Sequence, residues 1–247
     1  AFEKILNVKV EDGNAVFSNT NTEEFNDTWF NYFDLGRDYG KVKKKLSKDP
    51  ILKKAVAFGS GIRILNQDPF ETLISFIISA NNGIPRIKKS IELICERYGN
   101  YIGEYNGKNY YSFPTPERLS KVSIDELREC SVGFRDKYIF SAANMVNNKE
   151  IDIYNLKYLS TEEAREMLMK FPGVGPKVSD CILLFSMGKH DAFPIDVWVK
   201  RVMEYFYLKK DTKLKDIQSF GQEKFNELAG FAQQYLFYYA RELGIGK

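Results

Sequence analysis

The segment that most constrains this 247-residue chain is STEEAREMLMKFPGVGPKVSDCILLFSM, residues 160–187. Apolar side chains recur at helical spacing on both sides of FPGVG (171–175), and Ser160 and Glu163 stand at capping-box spacing. One helix is therefore expected over 160–171 and a second over 176–187. The residues between them leave room only for a tight reversal. Gly173 and Gly175 can adopt positive φ and leave backbone N–H groups uncovered. At a helix N-terminus such groups bind phosphate, because unpaired donors and the helix dipole act together. The same pentapeptide also suits an ordinary turn between two helices.

Lys177 opens the second helix and has two readings, a solvated phosphate ligand or a nucleophilic amine. With an ordinary pKa of about 10.4, under about one lysine in a thousand is the free amine at neutral pH. A helix N-terminus supplies only about 0.3–2 kcal/mol toward deprotonation, whereas burial can lower a lysine by about 3–5 pH units. A nucleophilic Lys177 therefore has to be buried, and Val178, Cys181 and Ile182 are neighbours of the right kind. Asp196, in FPIDVWV, directly precedes another helical pattern and read alone is an N-cap. Nineteen residues after a lysine that follows a glycine hairpin, it is less readily a cap alone.

Elsewhere the pattern is mainly α with a small antiparallel β part at the N-terminus. KILNVKV (4–10) and AVFSN (15–19) read as strands around the turn EDGN. Two strands alone are marginal, so further strands, and a longer gene product, are expected. From about Thr22 the periodicity is helical. Asp68-Pro69 starts an apolar helix over 70–80, and 84–99, 115–122, 123–130, 197–207 and 221–243 follow. An α+β part over 1–66 and an all-α part over 67–247 are expected, with the active site in a cleft between helical halves. No apolar run reaches the roughly 18–20 residues of a membrane span. The three cysteines are scattered, which argues against a disulfide framework or a four-cysteine metal site and points to a reducing compartment. The single histidine, His190, reads as part of a solvated turn. Net charge is only +3, but lysines cluster at 41–46, 53–54, 86–89 and 208–210, which permits a polyanionic partner.

Together, LMKFPGVGPKVSDC and AFPIDVWV resemble the helix–hairpin–helix (HhH-GPD) DNA glycosylase superfamily, and a lysine at 177 resembles its bifunctional members, which also cleave the DNA backbone. Within it the chain is most similar to the 8-oxoguanine DNA glycosylases; endonuclease III relatives usually carry a four-cysteine cluster that this chain cannot build. The resemblance implies the glycosylase fold over roughly residues 20–243, with Lys177 and Asp196 as catalytic residues. SANNGIPRI (79–87) looks like the segment that reads the cytosine left opposite the lesion, through Asn81 and Arg86 with Asn82 nearby. VGFRDKY (132–138) looks like the wedge, with Phe134 inserted into the base stack and Arg135 on the cytosine. LAGFAQQYLF (228–237) looks like the lesion-pocket helix, with Gln233 on the base edge and Phe237 and Cys181 on its faces. Taken singly, Phe134 or Cys181 would be core and Gln233 surface.

By the same resemblance Gly173, Val174 and Gly175 meet the DNA backbone, with Trp198 where close relatives often have a phosphate-binding histidine. No cofactor is expected, apart from a monovalent or divalent cation on the carbonyls of Met169, Phe171 and Val174. The implied partner is double-stranded DNA containing oxidised guanine. A monomer without membrane attachment is expected, in the cytoplasm and nucleoid of a prokaryote or the nucleus of a eukaryote. The alternatives are the same enzyme class acting on another damaged base, and a non-catalytic DNA-binding module.

Overall fold

The computed structural model describes residues 1–245. They form two compact units, each built from separate stretches of chain. The first holds Ala1–Phe33, Gln67–Asn155 and Lys170–Gly173; the second holds Asp34–Asn66, Leu156–Met169 and the chain from Val174. The division expected between 66 and 67 is thus one crossing point among several. Residues 34–66 belong with the C-terminal helices and residues 1–33 with 67–155.

In the first unit, β1 (Asn7–Glu11) and β2 (Asn14–Ser18) pair antiparallel, from Asn7 opposite Ser18 to Glu11 opposite Asn14. Asp12 and Gly13 both take positive φ between them, the two-residue turn whose twist matches that of the strands. The helix Pro69–Ser79 begins where expected: Asp68 Oδ1 accepts from the Glu71 N–H at 2.9 Å, and proline fills the first position. Phe70, Leu73, Ile74, Ile77 and Ile78 are buried along it, roughly 10 kcal/mol of gross hydrophobic stabilisation at about 2 kcal/mol each. Asn81, with φ 49°, ends it.

A second hairpin, β3 (Tyr101–Tyr105) with β4 (Lys108–Tyr111), corrects the expectation of an all-α chain beyond residue 67. Asn106-Gly107 at positive φ, flanked by aromatic residues, is a strong local hairpin signal. The Tyr101 and Tyr111 rings meet edge-on across it at 5.7 Å.

The second unit is helical: Tyr39–Leu46, Pro50–Phe58, Thr161–Leu168, Pro176–Ser186, Val197–Met203, Leu214–Phe225 and Ala229–Glu242 are its α-helices. Ser160 and Glu163 form the reciprocal capping box expected of them. The helix expected over 197–207 turns into a π-turn at Glu204–Leu208, closed by Lys209 at φ 58°, and the C-terminal helical region starts at Leu214, earlier than expected. Gly230 sets the closest approach of the last helix: a Cβ there would lie 2.3 Å from Leu184 Cδ1, and the Gly230 N–H donates to the His190 carbonyl at 2.7 Å. His190 is not in a solvated turn. Its ring stacks on Phe231 at 4.7 Å, its Nε2 is buried with no hydrogen-bond partner among the described residues, and burial lowers its pKa to about 4. No helix among the described residues is long and apolar enough to cross a membrane.

Candidate active site

The two hairpin glycines differ. Gly173 has φ +84° and belongs to the first unit, where a Cβ would sit 2.7 Å from the Tyr138 ring. The fold itself therefore requires glycine there. Gly175 is extended (φ −104°) and a Cβ would meet nothing within 4 Å. Positive φ, allowed by the sequence at both, is used only at Gly173. Gly175 caps Pro176–Ser186 with no side chain over the helix end, leaving N–H donors and the positive end of the dipole uncovered.

Lys177 is the second residue of that helix and is half-buried, less than the full burial expected of it. One turn later Cys181 is 4% exposed. Burial pushes its thiol up to about 12, the Lys177 charge opposes this, and the carboxylates of Asp180 and Asp196 reinforce it. Lys177 also hydrogen-bonds the thiol. The charges of Lys177 and Asp196 are thus both felt at one buried sulfur. Asp196 gets there as the N-cap of Val197–Met203, accepting from the Val199 N–H at 2.8 Å. The cap and the candidate site residue are one carboxylate. Trp198, half-buried, lies in the first turn of the same helix, whereas Val197 beside it is exposed.

Gln233 and Phe237 stand four residues apart on Ala229–Glu242, on one face of the helix. Gln233 is buried, and its Oε1 accepts from Gln234 Nε2 at 2.6 Å. Phe237 is half-buried under the Arg241 guanidinium, 6.0 Å from the ring centre.

Sequence reasoning missed a buried polar network behind Lys177. Asp180 Oδ1 accepts from Arg165 Nε at 2.7 Å, and its Oδ2 accepts from Gln218 Nε2 at 3.1 Å. Burial raises the Asp180 carboxyl, and Arg165 and Gln218 oppose the rise. The network joins the two hairpin helices to Leu214–Phe225 and borders a cavity of about 500 Å³ that Lys177, Ile195 and Leu214 also line. The available signal was an aspartate set among Val178, Cys181 and Ile182 on the apolar side of its helix.

In the first unit, Phe134 is 61% exposed on the 3-10 turn Gly133–Arg135, unusual for a large aromatic residue. Its ring lies under the Arg135 guanidinium at 4.4 Å. Arg135 itself is buried. Its Nε and Nη2 donate to the Ala80 carbonyl, Nη2 also to Asn81 O at 3.0 Å, and Nη1 to Val132 O at 3.0 Å. The guanidinium that the resemblance assigns to the cytosine is here committed to backbone. Asn81 and Arg86 are exposed, while Asn82 caps Ile78 O through its amide and accepts from the Gly83 N–H. Burial and the neighbouring Arg86 charge hold Arg135 below the usual arginine range. The two arginines are therefore close together. Among the described residues no group of three or more His, Cys, Asp or Glu side chains could hold a metal ion.

Residues 1–73 match the N-terminal domain of 8-oxoguanine DNA glycosylases, and residues 74–227 match the HhH-GPD superfamily of base excision DNA repair proteins. The 8-oxoguanine glycosylase/lyase of Clostridium acetobutylicum, solved with double-stranded DNA containing cytosine opposite 8-oxoG, superposes with a TM-score of 0.95 at 54% identity, over 99% of this chain and 84% of that one. A probable N-glycosylase/DNA lyase of Methanothermobacter thermautotrophicus is 34% identical over 80% of this chain and 69% of its own length. The N-glycosylase/DNA lyase OGG1 of Arabidopsis thaliana is 35% identical over 83% of this chain, which spans 57% of that protein. The chain belongs to the HhH-GPD superfamily of base excision DNA repair proteins and, within it, to the 8-oxoguanine DNA glycosylases.

Proposed function

We propose that the protein flips 8-oxoguanine out of duplex DNA, excises it with a preference for cytosine opposite, and then cuts the strand. The observation that carries this reading is the convergence of Lys177 and Asp196 on the buried Cys181 thiol at the N-termini of two helices. A base inside a duplex is out of reach of that site and has to be extruded, which costs a few kcal/mol. Phe134 fills the gap, and Asn81 and Arg86 hydrogen-bond the orphaned base, supported by Arg135 through the loop backbone. Gln233, Phe237 and Cys181 hold the extruded base, with Gly173, Val174, Gly175 and Trp198 on the DNA backbone.

Lys177, once it has given up a proton, attacks C1′ through its amine nitrogen. The N–C1′ bond forms as the glycosidic bond breaks, and the base leaves with that electron pair and takes up a proton. Asp196 stabilises the positive charge that develops on the sugar. Ring opening gives the Schiff base. Loss of a C2′ proton then expels the 3′ phosphate by β-elimination. Lys177 supplies the nucleophile, so this sequence calls on no cofactor; a cation held by the carbonyls of Met169, Phe171 and Val174 would serve only to neutralise phosphate. The enzyme would act as a monomer on chromosomal DNA, in a nucleoid or a nucleus, without membrane attachment.

Borohydride reduction on a duplex carrying 8-oxoguanine opposite cytosine tests the reading. A covalent protein–DNA adduct is expected, and Lys177→Gln should abolish it while DNA binding persists. An undiminished adduct in that variant would refute the assignment.

A further inference from the structure

The positive charge of this chain is concentrated in one stretch of sequence that holds none of the candidate site residues. The whole chain has 36 Lys and Arg against 33 Asp and Glu. Residues 39–58 alone contain seven lysines and one acid, Asp49, a surplus of six against a surplus of three overall. The rest of the chain is net acidic. Asp49 offsets little of this surplus, because its carboxylate caps Pro50–Phe58 and binds Tyr207 and Lys224.

The two helices show why the charge is outward. Tyr39–Leu46 buries Tyr39, Val42 and Leu46, and Pro50–Phe58 buries Leu52, Ala55 and Val56. Lys41, Lys44 and Lys45 then share one exposed face at helical spacing, with Lys48 exposed in the turn that follows and Lys53 and Lys54 exposed on the next helix. Lys41 pairs with Asp38, Lys45 with Glu227, and Lys43 donates to the Ser60 carbonyl. Lys44, Lys48, Lys53 and Lys54 pair with no carboxylate among the described residues. Beside Lys48 a hollow of about 270 Å³ is lined by Lys45, Lys224, Glu227 and the apolar Leu46, Leu52 and Phe225, and Lys44, Lys53 and Lys54 lie outside it.

We propose that this lysine face is a second DNA-contact surface, binding the phosphates of undamaged duplex without reading sequence. The proposal rests on the reading that the protein acts on duplex DNA. Such contact is electrostatic, and each phosphate neutralised makes the dependence of log affinity on log salt steeper by about 0.9. Four unpaired lysines can therefore account for a slope of about 2–4. Phosphate contact of this kind positions a protein on the duplex and supplies non-specific affinity.

The test replaces Lys44, Lys48, Lys53 and Lys54 by glutamine together and measures affinity for undamaged duplex between 50 and 200 mM salt. The slope should become shallower by about 2–4, while single-turnover excision at saturating enzyme stays unchanged. A control set, Lys9, Lys121, Lys149 and Lys157→Gln, removes the same charge elsewhere and should change the slope by less than about 1. An equal change in both sets, or none in the first, overturns the proposal. If the fourfold variant melts early, Lys53→Gln with Lys54→Gln should still flatten the slope by about 1–2, and no change there is equally adverse. Absence of excision by the unmodified protein would instead refute the catalytic reading and leave the binding result standing.

Discussion

Arg135→Ala would remove the clamp between the two loops of the first unit. Arg135 is 4% exposed, and its guanidinium makes four hydrogen bonds to the carbonyls of Ala80, Asn81 and Val132. No carboxylate pairs with it among the described residues. A hydrogen bond to a charged group contributes about 1.5–3 kcal/mol, so four give a gross figure near 6–12 kcal/mol. Burying a guanidinium without a counter-ion offsets several kcal/mol of that. Water admitted by the truncation also re-satisfies part of the carbonyl set. A net loss of about 2–4 kcal/mol follows, or about 5–15 °C in Tm at 2–4 °C per kcal/mol for a chain of this size. The same change frees Asn81 from its positive-φ conformation, which persists only while its surroundings hold it. Losing one well-placed base contact, worth about 1–3 kcal/mol, should reduce the preference for cytosine by about 5- to 150-fold. Thermal melts together with single-turnover excision opposite each of the four bases decide the matter. An unchanged Tm with lost cytosine preference would mean that Arg135 reads the base directly. A lowered Tm with the four-base pattern intact would mean that the clamp serves the fold alone. Lysine at 135 keeps the charge but not the fork, and should fall between the two.

Three further outcomes follow from geometry already described. Asp196→Asn should leave stability within about 0.5 kcal/mol, because asparagine caps a helix as well as aspartate, yet slow excision at least a hundredfold; collapse of Tm with a normal rate from the folded fraction would leave Asp196 only its cap. Gly173→Ala should destabilise by about 1–3 kcal/mol through its φ and the Tyr138 ring, whereas Gly175→Ala should leave the melt unchanged and weaken DNA binding; equal effects on both properties would contradict the distinction. His190 bears on pH: its folded pKa of about 4 lies below its ordinary 6.5, so the unfolded chain takes up the proton first. Its contribution is complete above pH 6.5 and is lost as pH falls toward 4, by about 2 kcal/mol after discounting its partial exposure. Urea denaturation at pH 7 and pH 4.5 should show that difference, and His190→Gln should reduce it.

The elements that sequence made visible are those whose signals are local. Asp68-Pro69, the Ser160–Glu163 box and the glycine hairpin each act within a few residues of themselves, and each appears where expected. The Tyr101–Tyr111 hairpin had an equally local signal, Asn106-Gly107, and was missed because helical periodicity on both sides was extended across it. The partition into units was not legible, because it depends on which apolar faces meet, and Leu52 gives no sign that its helix packs beside Ala229–Glu242 rather than beside Pro69–Ser79. Within the site, Lys177, Cys181 and Asp196 were legible as residue types at a spacing. The Arg165–Asp180–Gln218 network was not, since three residues scattered over 54 positions meet only through helix packing. Arg135 shows the intermediate case: its position next to the wedge was visible, but its carbonyl partners were not.

The burial of Cys181 has a consequence for survival under oxidant. Peroxide and disulfide exchange both require the thiolate, and with the thiol pushed up to about 12 only on the order of one molecule in 10⁴ to 10⁵ carries it near neutrality. Cys95 is pushed up to about 12 as well, and burial raises Cys130. A protein proposed to remove oxidised guanine thus holds its three cysteines as thiols. It should keep working in the conditions that make its substrate, with thiol-reagent labelling of the buried Cys130 and Cys181 slowed toward the rate at which the chain opens.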